Sequence, residues 1–309
     1  MMSWDRLYRL LHDAFPTERY HEGVAVEGFA QDQAGVTVRL ADGRSERADW
    51  LIAADGMRST VRRQLLPDLE PAYAGYVAWR GLVEESAMSD SARAALCDHL
   101  AFCLPPGEQM VGYAVPGADE ATAPGRRRYN WVWYRPADPR TRLPALLTGR
   151  DGRRYDLSIP PNRLKPEAVA GLRAAAERLL PPCFVEVVRL ARSPFIQAIC
   201  DLESQKLVLG RVVVLGDAAF VARPHAGLGA TKAALDALGL AQALSARDPA
   251  AALAAWEEDR LRYGQALVAR CRWLAGYLEP ANFVPDEPPA VIKERIATVI
   301  AETAVSGGV

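Results

Sequence analysis

The sequence predicts a mixed α/β (α+β) fold: an α/β half interrupted by a region of mixed or antiparallel sheet and followed by a helical C-terminus. Three observations predict it. An apolar strand, Leu51 to Ala54, ends in Asp55-Gly56 ahead of a helical segment. A second, Val212 to Leu215, ends in Gly216-Asp217 ahead of a glycine-rich loop and an alanine-rich helix. Between them, several aromatic-rich stretches alternate with the period of two that strands require.

The elements follow in order. Trp4, Leu7, Tyr8, Leu11 and Phe15 recur at helical spacing, predicting a helix from Ser3 to about Phe15 with Ser3 as N-cap. Val24 and Val26, then Val36, Val38 and Leu40, alternate as a hairpin, with Asp42-Gly43 as a turn. Leu51 to Ala54 is apolar on both faces, as an interior parallel strand would be. After Leu66-Pro67, strands are expected at 72 to 83, 101 to 106, 110 to 115 and 128 to 136. In the last of these, Tyr129, Trp131 and Trp133 share one face and Asn130, Val132 and Tyr134 the other. One face of this sheet should pack on helices. Pro- and Gly-rich connections fill 116 to 126 and 136 to 166, and Arg126 to Arg128 read as a solvated loop. A helix is expected from about Pro166 to Leu180, a strand over 184 to 191, and a return toward the second motif at 194 to 201. The chain from Ala250 onward reads as mostly helical, with a Pro-rich break at 285 to 289. Four segments result: 1–68 and 197–275 as two parts of one domain, 69–196 as a second domain, and 276–309 as a helical tail.

Composition narrows the function classes. Lys and Arg total 37 against 38 Asp and Glu, so the net charge of −1 points to no nucleic-acid partner and no acidic substrate. Half the residues are hydrophobic, enough for two domains with cores. No apolar run reaches the roughly 18 residues of a membrane helix, and the N-terminus carries charges where a signal peptide would be apolar. Cys97, Cys103, Cys183, Cys200 and Cys271 are odd in number and lack metal-ligand spacing. The expectation is reduced, structural thiols, a cytoplasmic location and no metal.

In open α/β sheets the crevice beyond the strand ends binds cofactors, and a helix N-terminus there offers free N–H groups to an anion. Asp217 could accept hydrogen bonds from sugar-type hydroxyls. Gly216, Asp217, Ala218, Ala219, Pro224, Gly227 and Gly229 together resemble the second flavin fingerprint of the class A flavin monooxygenases, the p-hydroxybenzoate hydroxylase-like family. Two positions depart from it: Phe220 stands where many relatives have His, and Thr231 where many have Asn. The run from Asp217 to His225 is most similar to the 2,6-dihydroxypyridine hydroxylase branch. Asp55, Gly56, Ser59 and Arg62 resemble the same family's Asp-Gly motif, which touches FAD and the reduced nicotinamide donor. An Asp-Gly after a strand is by itself a turn signal. It gains meaning by standing before the second motif in the family's order.

The resemblance implies a FAD-binding Rossmann-like domain interrupted by a substrate domain. It also implies an incomplete one, because the family's opening Gly-x-Gly-x-x-Gly occurs nowhere in the chain. The expectation is a chain that begins inside the first flavin-binding segment, with an open sheet edge that pairs with a second copy or a separately encoded N-terminal segment. Family members reduce FAD with NADH or NADPH and use O₂ to hydroxylate an electron-rich aromatic ring. By resemblance, Asp217 holds the ribitol chain, with Gly216 and Ala218 also in the cofactor site, while Gly227, Leu228, Gly229 and Ala230 lie against the pyrimidine edge. Asp55, Gly56 and Arg62 also face the cofactor, and Pro224 holds the loop beside the ring. His225 is either the base or relay that activates the substrate, as a near-neutral pKa would suit, or a loop histidine that shapes the pocket. Arg223 binds a substrate oxygen or a flavin phosphate, or is a surface residue. Tyr134, Gln197, Trp133 and Arg80 are pocket candidates whose other reading is hydrophobic core. Asp236, inside the helix after the loop, reads as a capping or packing-side hydrogen-bond group. Two functional readings stand: a flavin hydroxylase of the dihydroxypyridine type, and a non-catalytic remnant that keeps the substrate domain. A reductase or halogenase on the same fold is a third, against which the Arg-Pro-His loop argues.

Overall fold

The computed structural model describes residues 4–279 and 288–303. From the N-terminus, α1 (Trp4–Asp13) leads to β1 (Val26–Gln31), β2 (Val36–Leu40), β3 (Ser45–Ala48), β4 (Leu51–Ala53) and α2 (Thr60–Leu65). Then come β5 (Ala72–Glu84), α3 (Asp90–Leu96), β6 (Ala101–Cys103), β7 (Gln109–Val115) and β8 (Arg128–Pro136). α4 (Arg142–Leu146), β9 (Ser158–Ile159), α5 (Pro166–Leu179), α6 (Pro182–Leu190) and β10 (Phe195–Glu203) follow. The chain continues through β11 (Val208–Leu209), β12 (Val212–Val214), β13 (Phe220–Val221), α7 (Gly229–Leu244), α8 (Pro249–Ala275) and α9 (Pro289–Glu302). They form two compact units, 1–20, 73–199 and 277–292 in one, and 21–72, 200–276 and 293–309 in the other.

The first unit is built on a sheet in which β10, β5, β8, β7 and β6 are successive neighbours, with β5–β8, β8–β7 and β7–β6 paired antiparallel. Tyr129, Trp131 and Trp133 share a core with Trp79, which lies opposite Trp133, and with Leu96, Leu172, Ala176, Phe184 and Val187 of α3, α5 and α6. The Trp131 indole donates to the carbonyl of Val187 at 3.2 Å, while the indole N–H groups of Trp79 and Trp133 and the Tyr129 hydroxyl are buried without a hydrogen-bond partner among the described residues. The expected strand over 184–191 is instead α6. Pro182 occupies the first turn, where its missing N–H costs nothing, and Phe184, Val187 and Val188 are the buried positions. Their i, i+3, i+4 spacing buries one helical stripe, which overrides the strand preference of the valines. On another side of α6, Glu186 accepts from the backbone N and hydroxyl of Ser89.

Other expectations are adjusted. α1 ends at Asp13, Phe15 standing in a turn after it, and the expected cap Ser3 lies outside the described residues. The first 20 residues belong to the sheet unit, with Arg6 of α1 bridging to Glu120 at 3.2 Å, rather than to the unit that carries the motifs. The hairpin is a three-stranded meander that begins at Val26; β3, Ser-Glu-Arg-Ala, is fully exposed and carries no apolar alternation to read. The strand at 101 to 106 stops at Cys103, before Pro105-Pro106. Arg127 is no solvated loop residue: it forks onto buried Glu85, which lowers the Glu85 pKa to about 2. The Pro-rich break at 285–289 falls mainly on undescribed residues.

In the second unit β11 pairs antiparallel with β12, and β12 pairs parallel with β4, Val212 opposite Leu51 and Val214 opposite Ala53. β12 is wholly buried. Among the described residues β4 ends the strand order, and Ile52 is 38% exposed. Gln64 of α2 bonds both the N and the O of Phe29 on β1, and Glu257 of α8 accepts from the backbone of Leu207 and Val208. Among the described residues no helix is long and apolar enough to cross a membrane.

Candidate functional site

Parallel pairing of β4 and β12 sends both motifs out of the same end of one sheet. Leu215 N donates to Ala53 O at 3.1 Å as the strands separate. After β4, the Asp55 carboxylate accepts from the backbone N of Thr60 at 2.8 Å and of Val61 at 3.3 Å, and the Ser59 hydroxyl accepts from Arg62 N at 2.8 Å. The start of α2 is thus capped twice. Gly56 between them has φ +75°, a left-handed conformation that favours glycine. Arg62 is 1% exposed and donates to Ala218 O at 3.0 Å and Met57 O at 2.7 Å. It binds the first motif to the second.

Asp217 is exposed on a short turn, Gly216 to Ala218, and its carboxylate accepts no hydrogen bond from the described residues. Desolvation raises its pKa above the usual carboxylate value; Lys232 opposes the rise and Asp236 adds to it. Behind it lies a pair that the sequence reading did not find as a pair. Lys232 and Asp236, each 2% exposed, are 2.7 Å apart on α7. Asp236 accepts from Gly216 N at 3.0 Å, and Lys232 donates to Gly216 O at 2.8 Å. The signal available was a Lys four residues before an Asp in a helix with no other charged residue.

The loop between β13 and α7 is fixed by charge. Arg223 is buried on Asp201, with contacts of 3.0 to 3.2 Å, and Arg272 adds a third donor at 3.0 Å. Arg223 is therefore buried on a carboxylate and is not a surface residue. Pro224 opens a single turn that ends at Gly227, φ +70°, and α7 begins at Gly229 with no side-chain cap. The first helical bond returns from Lys232 N to Leu228 O, leaving the N–H groups of Gly229, Ala230 and Thr231 uncapped by any side chain. A Cβ at Gly229 would meet nothing within 4 Å. His225 is 3% exposed, and burial, helped by the Arg223 charge, pushes its pKa down to about 3. Of the two readings of His225, base and loop-shaping residue, burial suits the second: the imidazole is neutral near neutral pH, because burial penalises the imidazolium.

The remaining candidates sit in the sheet unit. Trp133 lies on the helix-packed face, with Arg135 4.5 Å above its ring, and is core. Tyr134, on the other face, stands edge-on to Tyr76 with centroids 6.0 Å apart. Arg80 is opposite Val132 on that same face, and Gln197 pairs across from Ser158. Sequence reasoning missed Gln109, opposite Tyr134: it is 2% exposed, and its Oε1 has no hydrogen-bond partner among the described residues. No group of three His, Cys, Asp or Glu among the described residues is arranged to hold a metal ion.

Residues 73–201 match a family described as FAD binding domain-like. The chain is 34% identical over 288 residues to 2,6-dihydroxypyridine 3-monooxygenase of Paenarthrobacter nicotinovorans, covering 93% of this chain and 71% of that protein. It is 32% identical to an FAD-dependent urate hydroxylase of Klebsiella pneumoniae, covering 88% of this chain and 63% of the relative. The solved structure of 2,6-dihydroxypyridine-3-hydroxylase from Arthrobacter nicotinovorans superposes with a TM-score of 0.86 at 33% identity, over 93% of this chain and 72% of that one.

Proposed function

We propose, from the premise that this chain belongs to the class A FAD-dependent aromatic hydroxylases, that it serves the hydroxylation of an electron-rich, hydroxylated aromatic or N-heteroaromatic ring of the dihydroxypyridine type. The reductant is NADH or NADPH and the oxidant O₂. One observation carries the reading: an exposed, unpartnered carboxylate, Asp217, at a buried strand end, beside the uncapped N-terminus of α7. These groups fit FAD. A ribitol chain presents hydroxyls to a carboxylate, and a flavin's pyrimidine edge presents acceptors to N–H groups. When bound, FAD supplies the redox and oxygen chemistry.

The chain's own groups bind and orient. Asp217 would accept from the sugar-type hydroxyls of the cofactor, and the N–H groups at Gly229 and Ala230, with the positive end of α7, would favour negative charge placed beside them. Gly227 and Leu228 form the approach, and Pro224 keeps the loop free of a competing donor. Asp55 and Gly56 shape the neighbouring strand end, and Arg62 holds the two motifs in register. His225, held neutral, shapes the loop instead of taking the substrate proton. In this reading the unit with both motifs binds the flavin. The sheet unit recognises the substrate, with Tyr134, Arg80 and Gln197 on the face away from its helices and Gln109 beside Tyr134. Five free cysteines suit a reducing cytoplasm. The open edge of β4 suits association with a second copy or with a separately encoded segment.

Flavin fluorescence titration tests the site. Asp217→Ala should weaken FAD binding by about 1.5–3 kcal/mol, the worth of a hydrogen bond to a charged group. Unchanged affinity would refute the assignment. Oxidation of NADH or NADPH that depends on 2,6-dihydroxypyridine, with the hydroxylated product identified by mass, tests the reaction; urate provides the comparison substrate.

A further inference from the structure

We propose, resting on that flavin-site reading, that Lys232 and Asp236 are a positioning pair: they grip both backbone groups of Gly216 so that Asp217 faces the cofactor, and Lys232 places a positive charge behind that carboxylate. Gly216 needs such a grip. β12 ends at Val214, and Gly216 has turned to φ +60°, so no neighbouring strand holds it. Its N–H goes to Asp236 at 3.0 Å, while its carbonyl accepts from Lys232 at 2.8 Å and from Ala219 N at 3.1 Å.

The pair is itself anchored. Trp256 Nε1 donates to the backbone O of Asp236 at 3.1 Å, and the Lys232 ammonium sits 5.1 Å over the ring of Phe220. Stability alone gives no reason to bury two charges here, since apolar side chains of similar volume usually serve as well or better. What apolar side chains cannot do is satisfy and orient the N–H and C=O of one turn residue. The charged groups that act on Asp217 are Lys232 and Asp236 from α7; next to these, Arg260 of α8 lies 4.0 Å from Asp236, and Arg62 of α2 is bonded to Ala218 O.

The test compares the parent with Lys232→Met, Lys232→Arg and the double variant Lys232→Met/Asp236→Leu, which leaves no lone buried charge if the single variant fails to fold. Peptide-resolved amide exchange over residues 215–219, without flavin, should be at least tenfold faster in the double variant while its melt stays cooperative. FAD binding should weaken at least tenfold, and Lys232→Arg should recover part of the loss. Binding across acidic to neutral pH adds a reading that a merely structural role would not move. Without the Lys232 charge, Asp217 takes up its proton at higher pH, so FAD should dissociate at higher pH in Lys232→Met than in the parent. Parent-like exchange at 215–219 overturns the grip whether or not flavin binds, and an unmoved acid midpoint overturns the role of the charge. A parent that binds no FAD at any pH overturns the functional reading instead, and the exchange measurement still decides the grip.

Discussion

At Asp217 the carboxyl pKa is raised by desolvation, so the folded chain holds this proton more tightly than the unfolded chain. Linkage fixes the sign: the native state is penalised at pH values above the folded pKa, and the penalty vanishes in acid below the unfolded value. Asp217→Asn should therefore raise the urea midpoint near neutral pH, lose that advantage as pH falls, and weaken FAD binding; a lower midpoint at neutral pH would show that the carboxylate is supported by the fold. His225 works in the other direction. Its folded pKa, about 3, lies below the ordinary 6.5, so under pH 6.5 the unfolded chain takes a proton that the native chain refuses. Stability from this residue is complete above pH 6.5 and is lost as pH falls toward 3. His225→Gln should flatten that acid limb in urea midpoints measured between pH 3.5 and 7.5, and an identical slope would count against a buried neutral imidazole. The motif residues were legible in sequence because what they do is local: a strand end, a turn, a helix start. Their supports were not. Asp201 lies 22 residues from Arg223 and 71 from Arg272, and nothing short-range links them.

Among the elements, helices with one apolar stripe and strands with period-two alternation were readable, and the failures have a common cause. α6 carries three valines in nine residues and favours a strand locally, yet tertiary burial of Phe184, Val187 and Val188 decides for a helix. β3 was invisible because it buries nothing. The contact of α8 with β13 likewise turns on a residue with no side chain. A Cβ at Gly264 would lie 2.6 Å from Cδ2 of Phe220, the ring beneath the Lys232 ammonium. Gly264→Ala should cost about 1–3 kcal/mol through overpacking. Phe220→Leu should recover much of that in a double-mutant cycle by thermal or urea unfolding. Additive effects of the two substitutions would show that the helix shifts freely and that the close approach carries no energy.

For the whole molecule, the order motif, sheet, motif was legible because between the two motifs the chain leaves the α/β half once, at 73, and returns once, at 200. Membership of residues 1–20 was not, since Arg6 finds Glu120 more than a hundred residues away. A second property concerns the surface. Within the unit that carries the motifs, Ile52 on the last strand in the order is 38% exposed, and Leu235 and Leu238 on the outer face of α7 are 41% and 58% exposed. Ala234, Ala237 and Ala241 complete an exposed apolar face on that helix. An open strand edge and a contiguous apolar helix face are both surfaces that seek a partner. The net charge of −1 supplies little repulsion to keep copies apart. The 309-residue chain should accordingly self-associate at tens of micromolar and bind a dye that reports apolar surface. Leu235→Glu/Leu238→Lys should shift sedimentation velocity toward the monomer and lower dye binding without lowering the melting temperature, because neither leucine belongs to the buried core. A monodisperse, dye-silent parent at that concentration would show that the helix face and the strand edge are already covered in solution.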